Sequence, residues 1–371
     1  MCKTSAPAIR VTSALKTEFI ADSLAMPVHW YYNPMDIEKA FPGGIQRFEA
    51  APEFHPSSIM ALHSTTGGGR RLGENKSGER SPQIVGEVIL KGRAKYWNKP
   101  NVHYHRGLGP GENTLNAHCA RLLMRSLANR SGKYDPQAFV SSYIDFMTGD
   151  PPAHPDTYAE SYHRGFFANY QQGLPPEKCA MITHDTPSVG GLVTIAPLVF
   201  SQRLGGTDLS DLKALCRQHL ALTHPDEGLM KVCDRYVELL CGLMEGPDDE
   251  GVQSLLVAAG KGVAGLNVAD LVKRNLPDLQ VVGRLYSPAC YISDSWPAVL
   301  YLAYKYRKDP WMALRVNTNL GGDNVHRGAV LGAILGLLSE EVATGWFDQL
   351  VARDAIDEEI SALVSAATAP R

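Results

Sequence analysis

Apolar residues recur at steps of three and four along most of this chain, and this spacing restricts the fold more than any other feature of the sequence. Such steps place apolar side chains on one face of a helix. In one segment they are Leu115, Cys119, Leu122, Leu123 and Leu127. The pattern occupies residues 114–127, 208–222, 230–244, 296–306 and 328–338. Alternating strand patterns are nearly absent, and residues 188–200 fit a buried helix at least as well as a strand. The spacing therefore predicts an all-α protein.

Residues 41–110 depart from this pattern. They are rich in Gly, Pro, Arg and Lys and contain Gly67-Gly68-Gly69. We interpret them as irregular structure with one helix near residues 83–92. A long irregular segment in a compact domain often covers an active site. Because no internal repeat or low-complexity linker divides the chain, the sequence predicts a single domain over residues 1–371, with an irregular insertion at about 41–110.

The bulk composition restricts the class of partner. The chain has 371 residues and a formal net charge of -3, so it has no basic field with which to hold nucleic acid. No apolar run approaches the roughly 18 residues that cross a bilayer, and we expect no membrane association. The seven cysteines are dispersed and never spaced as CxxC. Reduced, packed thiols in a cytoplasmic protein are the expectation.

Two polar clusters interrupt the apolar segments in the first third of the chain. Residues 20–27 bring Asp22 just before Pro27, and residues 109–114 place Glu112 and Asn113 at the start of a predicted helix. Such residues can cap free N–H groups or pair with a buried charge. Their oxygen atoms can also coordinate a cation. The residues alone leave both interpretations open.

Two later clusters are flanked by glycine. In residues 317–328, a Gly-Gly pair precedes Asp323 at the start of a small-residue helix. Glycines there let the backbone turn tightly and approach a ligand, although a plain helix start would use the same residues. In residues 183–191, His184 stands beside Asp185. That arrangement is compatible with a proton-handling pair or, more commonly, with turn and cap chemistry.

The order of these clusters resembles that of the ADP-ribosylglycohydrolases. Residues 21–27 resemble the family's opening Gly-Asp-Ala-Leu-Gly-x-Pro segment, and residues 188–197 resemble its Gly-Asn-Gly run leading to Ala-Pro. The Thr-His-Pro-Asp corner is intact at residues 223–226, and residues 321–326 resemble the closing Gly-Gly-Asp-x-Asp-Thr motif. The resemblance extends from about residue 14 to residue 338. It implies a compact, single-domain, orthogonal bundle of α-helices.

The sequence departs from the family pattern at the positions that bind metal. Family members usually hold two magnesium ions through a Thr-Asp-Asp-Thr cluster and the closing motif. Here Glu112 and Asn113 stand where two aspartates are expected, and Val325 and His326 replace the second aspartate and the threonine of the closing motif. A two-magnesium cluster is therefore not expected. One Mg²⁺ held by Glu112, Asn113 and Asp323, or no metal, are the alternatives. A histidine ligand would favour a transition metal.

The resemblance implies a hydrolase that cleaves a glycosidic bond of an ADP-ribosyl or related ribosyl compound. We expect Glu112 and Asp323 as the catalytic carboxylates and His326 as acid or base. The substrate would be a nucleotide-ribose or an ADP-ribosylated molecule. The family also includes J-type crystallins, so a structural or ligand-binding protein without catalysis is an alternative, as is a different glycoside substrate. The residues predicted to bind substrate are Asp22, Asn113, Ser188, Gly190, Gly191, Gly321, Gly322, Asn324 and Arg327.

Overall fold

A computed structural model describes residues 6–62, 83–339 and 345–369 of the protein. Over these ranges the chain forms helices and turns and no β-strand beyond four isolated bridges, which confirms the predicted all-α class. The α-helices are α1 (Ala6–Ala25), α2 (Pro34–Ala40), α3 (Leu115–Ala128), α4 (Pro136–Thr148), α5 (Ser161–Gln171), α6 (Ile195–Leu204), α7 (Leu209–Ala221), α8 (Glu227–Met244), α9 (Asp249–Gly260), α10 (Val268–Lys273), α11 (Asp278–Val281), α12 (Ile292–Lys305), α13 (Pro310–Leu320), α14 (Asn324–Leu338) and α15 (Arg353–Thr368).

The five segments with helical spacing form α3, α7, α8, α12 and α14. The corner at residues 223–226 ends one helix and begins the next, as predicted, because Asp226 Oδ1 accepts a hydrogen bond from Leu229 N at 2.7 Å. Residues 188–200 are helical as well. They form a 3-10 turn at Val189–Leu192 and the first part of α6. Periodicity therefore located these five helices correctly.

The helix predicted near residues 83–92 is wrong. Those residues form a tight turn closed by an isolated bridge between Val85 and Ile89. Gly86, Leu90 and Gly92 have positive φ values of 88°, 53° and 77°, and a right-handed helix cannot continue through such residues. The rest of the predicted irregular insertion contains one 3-10 turn, Ala94–Tyr96, within its described parts. Gly67-Gly68-Gly69 lies outside the described residues.

Helices α1 and α14 pack together at the centre of the bundle, and glycines let them approach closely. Gly328, Gly332 and Gly336 follow one another at four-residue steps on the face of α14 that meets α1. A Cβ on Gly332 would lie 2.7 Å from the Thr17 carbonyl oxygen, and one on Gly336 would lie 2.5 Å from Ala14 Cα. Both helices are therefore buried along most of their length.

This central pair fixes the position of the polar residues. The C-terminal end of α1 leads through the 3-10 turn Met26–Val28 to His29. The N-terminal ends of α3, α5 and α14 lie around the same point, as hydrogen bonds between their first residues show. None of the described helices is long and apolar enough to span a membrane. The six cysteines of the described ranges are free thiols.

Candidate functional site

A line of buried acidic and histidine side chains runs through the point where these helix ends meet. His105 Nδ1 lies 2.8 Å from Asp156 Oδ1, and His105 Nε2 lies 2.7 Å from His29 Nδ1. His29 Nε2 lies 3.0 Å from Asp323 Oδ1, and His326 Nδ1 lies 2.9 Å from the same oxygen. We call Asp156, His105, His29, Asp323 and His326 the histidine array. Each of its members is at most 2% exposed.

Main-chain and aromatic contacts hold the array in place. The second carboxylate oxygen of Asp156 accepts a hydrogen bond from Leu115 N, the first amide of α3, at 2.8 Å. The His29 and His105 rings are parallel within 1°. Trp30 stacks on His29 with ring centroids 3.7 Å apart. Trp30 has a φ of 60°, which is unusual for a bulky residue, and its N–H donates to Gly322 O at 2.8 Å.

A second polar group extends from the far side of His326. His326 Nε2 lies 3.2 Å from Glu160 Oε1 and 2.8 Å from Asn116 Nδ2. Asn116 Oδ1 accepts a hydrogen bond from Tyr162 Oη at 2.6 Å and lies 3.2 Å from His163 Nε2. His326 thus bridges two buried carboxylates, Asp323 and Glu160. One oxygen of each, Asp323 Oδ2 and Glu160 Oε2, has no hydrogen-bond partner in the described structure.

The charges of the array follow from burial and from these contacts. Burial lowers the pKa of His29 to about 3, only partly offset by its hydrogen bond to Asp323. Burial would also favour neutral Asp323, but His326 and His29 outweigh this and hold the Asp323 pKa well below its usual range. For His326, burial favours the neutral ring, yet Asp323 and Glu160 raise its pKa well above the ordinary value. Both shifts favour a protonated His326 ring beside an ionised Asp323 carboxylate.

Tyr32 lies near the acidic end of the array. The Tyr32 ring is 50% exposed, and its pKa is raised well above the ordinary value, first through burial and then through Cys290 and Asp323. Tyr104 and Asp185 also lie close enough to raise the Tyr32 pKa. Tyr32 therefore places a half-exposed aromatic ring near the carboxylates of Asp323 and Asp185.

The conformation of the closing motif, residues 321–326, depends on its two glycines. Gly321 and Gly322 have φ values of 68° and 67°. Side-chain carbons there would lie 2.1 Å from Tyr31 O and 2.0 Å from Pro288 O. The loop can thus pass between the segments that contain Tyr31 and Pro288. It places Asp323 at the start of α14, where Asp323 N donates to Pro288 O at 2.8 Å.

Arg327 and Asn324, both predicted to bind substrate, hold this loop. Arg327 is fully buried, and its guanidinium donates to Asn317 Oδ1 at 2.7 Å and to Gly321 O at 2.9 Å. Asn324 Nδ2 donates to Thr318 O at 2.8 Å. Burial lowers the pKa of Arg327 to about 10. These donors are directed at main-chain and amide oxygens of the protein itself.

The first two clusters meet each other rather than Asp323. Asp22 Oδ1 accepts from Asn113 Nδ2 at 2.8 Å and from Thr114 N at 2.9 Å, so Asp22 fixes the start of α3. Glu112 is partly exposed, and its Oε2 accepts from Gly109 N at 2.6 Å. In the described structure Glu112 and Asp323 share no hydrogen-bond partner. The structure therefore brings Asp323 and His326 together and leaves Glu112 in a separate turn.

The residues predicted in the middle of the chain lie against the site. A Cβ on Gly190 would lie 3.4 Å from His326 Nδ1 and from Ser188 Oγ, so this turn contacts the His326 ring directly. Gly191 packs against His224 and α8 instead. His184 Nε2 lies 2.9 Å from Asp185 Oδ1, while Asp185 Oδ2 accepts from Ser161 N and Oγ at 3.0 and 2.7 Å. Asp185 thereby caps α5.

Several residues of the site were not among those predicted. His29, Asp156, Glu160 and Asn116 are isolated polar residues in the sequence, and each is functional-looking only next to the others. Three of them share a signal of position, because Asn116 and Glu160 lie in or beside the first turn of a helix and His29 directly follows the 3-10 turn after α1, whereas Asp156 lies in the loop before α5. His105 was visible in the sequence only as part of a local crowding of His103, His105 and Arg106.

A sequence model of the ADP-ribosylglycohydrolases matches residues 4–371. The chain belongs to the ADP-ribosylglycohydrolase family. A solved structure described as an ADP-ribosylglycohydrolase-related protein complex is similar to this family member, with a TM-score of 0.59 and 18% sequence identity, over 97% of this chain and 99% of that chain. At this identity the similarity concerns the fold. No curated protein matches the chain.

The magnesium pair that the family resemblance implies does not fit the residues of this chain. Magnesium requires oxygen ligands in near-octahedral geometry. Val325 is fully buried in an apolar cluster with Ala25, Met26, Ala51 and Leu108, and His326 offers nitrogen. Asn113 directs its amide nitrogen to Asp22, while its own oxygen has no partner in the described structure. One carboxylate, Asp323, remains at the centre of the site, and its neighbours are imidazoles.

Proposed function

We propose that this protein hydrolyses a glycosidic bond of an ADP-ribosyl or related ribosyl compound, with a metal requirement different from the usual one. The observation that supports this most is the placement of Asp323 and Glu160 on opposite edges of the His326 ring. Glycoside hydrolysis uses two carboxyl groups around the anomeric carbon, about 6.5–9.5 Å apart in inverting enzymes. Because Asp323 and Glu160 both contact the same imidazole, they lie close enough together to act on one substrate.

The residues would divide the reaction between them. Glu160 Oε2, which has no hydrogen-bond partner among the described residues and lies 3.6 Å from His163 Nε2, would accept a proton from the attacking water. The negative charge of Asp323 would stabilise the oxocarbenium-like transition state. His326 would orient both carboxylates and donate a proton to the leaving group as the bond to the anomeric carbon breaks. We assign the second carboxylate to Glu160 rather than to Glu112, because Glu160 contacts His326 and Glu112 is held in its own turn.

The surface around Tyr32 would bind the nucleotide-ribose. The half-exposed Tyr32 ring offers a face on which a base can stack. Glu160 and His326 are only 5% and 2% exposed. Turnover would therefore require local movement of the side chains between Tyr32 and these two residues.

The burial of so many ionisable groups favours this proposal over a purely structural role. Buried charges cost stability unless they are fully paired and hydrogen-bonded. Buried clusters of strongly perturbed ionisable groups are candidates for functional sites. Asp156, Asp323, Glu160 and three histidines form such a cluster in the core of this protein.

The first test is a calorimetric titration of the purified protein with ADP-ribose in EDTA and again with divalent ions, followed by assays for release of ADP-ribose from small ADP-ribosyl compounds. We expect binding and turnover. Glu160→Gln should lower turnover by about 10²–10⁴-fold, the usual contribution of a general base, with little change in ADP-ribose affinity. The unfolding midpoint of the variant shows whether it is folded.

The same substitution at Glu112 decides between the two carboxylates. If Glu112→Gln loses turnover and Glu160→Gln keeps it, the assignment made here is wrong. If neither heat nor turnover is seen with any ADP-ribosyl compound under either condition, the hydrolase proposal fails, and the structural or ligand-binding alternative takes its place.

A further inference from the structure

Three potential metal ligands converge on one point of the histidine array. His29 Nε2 and His326 Nδ1 lie 3.0 and 2.9 Å from the same Asp323 oxygen. The ligand atoms of the three residues all lie within 4.8 Å of one another. None of the three side chains is more than 3% exposed. We infer that His29, Asp323 and His326 form a mononuclear site for a divalent transition-metal ion, in place of a magnesium pair.

The distances are those of neighbouring ligands around a metal. Two ligand atoms about 2.1 Å from an ion, a usual bond length for imidazole nitrogen and carboxylate oxygen, are about 3 Å apart when they subtend a right angle. The two nitrogen–oxygen distances match this value. Two imidazoles and one carboxylate on one face of an ion form the set that non-haem iron(II) uses, with further positions open. Nitrogen ligands disfavour Mg²⁺ and favour iron, cobalt or zinc.

Hydrogen bonds would produce similar distances, but the number of protons distinguishes the two cases. Three contacts join Asp156, His105, His29 and Asp323 in line. If all three are hydrogen bonds between ionised aspartates, two imidazoles must supply three protons, and a cation is buried between them. If His29 Nε2 binds a metal, two protons suffice. His29 Nδ1 then donates to His105, His105 donates to Asp156, and both rings are neutral.

The surroundings of the three ligands also match those of metal sites. A ligating histidine almost always has its other ring nitrogen held by a carboxylate, a carbonyl or another polar group. His29 is held by His105 and, through it, by Asp156, while His326 Nε2 lies beside Glu160 and Asn116. The second oxygen of Asp323 is buried without a partner among the described residues. An ion at this point would give that carboxylate a second interaction.

The test uses the full-length chain without a histidine tag, freed of metal with EDTA. Titration with Co²⁺ and with Zn²⁺, followed by gel filtration and metal analysis, should show one ion per chain, and an excess of Mg²⁺ should not displace it. Asp156→Asn should weaken binding by about 10–100-fold, the usual effect of losing a partner that orients a ligand. His29→Gln removes a ligand and should abolish binding.

His219→Gln is the matched control, because His219 is a buried histidine with two hydrogen bonds of its own, to Tyr134 and Thr194. It should bind the ion as tightly as the natural protein. If the natural protein retains no Co²⁺ or Zn²⁺, or if Asp156→Asn binds with unchanged affinity, the metal site is refuted. Turnover of ADP-ribosyl compounds in EDTA would then still support the hydrolase, so the two proposals fail separately. If the His29→Gln variant does not fold, the metal affinities of the natural protein and of Asp156→Asn still test the proposed site.

Discussion

At the scale of single residues, the loop before α14 depends on two glycines for both its conformation and its space. Gly322 has a φ of 67°, and its amide donates to Tyr31 O at 2.7 Å. A Cβ atom on Gly322 would lie only 2.0 Å from Pro288 O. Any larger residue would have to push this segment away. The position of Asp323, the next residue, therefore depends on Gly322.

We expect Gly322→Ala to lower the free energy of unfolding by about 2–5 kcal/mol, combining left-handed strain with a steric clash. Displacement of Asp323 should also abolish metal binding. Gly262→Ala is the control, because Gly262 has a φ of 79° and open space around its Cβ position. It should cost only the strain, about 1–2 kcal/mol. Urea unfolding measures both, and equal losses would show that the contact with Pro288 is unimportant.

At the scale of helices and loops, local sequence predicted those elements whose local preference and tertiary packing agree. Five amphipathic or buried helices followed from spacing, and Asp226 marked the start of α8 correctly. The turn at residues 83–92 shows the opposite case. Ile84 and Val88 stand one helical turn apart, but Gly86 adopts positive φ and lies against Ala94. Apolar spacing cannot distinguish a helix from a turn that buries the same residues.

The contact between α1 and α14 gives a prediction at this scale. Gly332→Ala adds a methyl group 2.7 Å from Thr17 O and 3.0 Å from Ala21 Cβ, so two central helices must separate. Alanine favours the helix by about 1 kcal/mol, but overpacking costs about 1–3 kcal/mol, and we expect net destabilisation. Gly260→Ala, at the end of α9, meets its nearest neighbours at 3.4 Å and should be neutral or stabilising. Thermal unfolding of both variants tests this, and a stabilised Gly332→Ala would contradict the close approach.

At the scale of the whole molecule, the candidate site could be predicted only in part. The closing motif could be recognised in the sequence because Asp323 and His326 are only three residues apart. The other residues of the site come from other segments: His29, His105, Asp156 and Glu160. They meet because the C-terminal end of α1 and the N-terminal ends of α3, α5 and α14 lie close together. A single sequence holds no signal for such long-range meetings. Glu112 was chosen for its place in a motif, whereas Glu160 contacts His326 through the fold.

Histidines buried outside the array give the molecule a pH-dependent stability. Burial lowers the pKa of His219 from 6.5 to about 3, and that of His118 to about 3. Between these values the unfolded chain binds protons that the folded chain excludes. The contribution of each of these histidines to the free energy of unfolding is therefore fully present above about pH 6.5. It falls as the pH drops toward 3, by at most about 1.4 kcal/mol per pH unit and per histidine.

His219→Gln should remove one such contribution. Urea unfolding between about pH 7 and pH 5 should show a variant that is less stable than the natural protein near neutrality, because the hydrogen bonds of His219 to Tyr134 and Thr194 are altered. Its stability should, however, fall less steeply with acidification. Phe139→Leu, which removes a ring contact with His219 but no titratable group, should lower stability and keep the natural slope. An unchanged slope in His219→Gln would mean that His219 becomes protonated without unfolding the chain, through an opening of α7 that admits water to the ring.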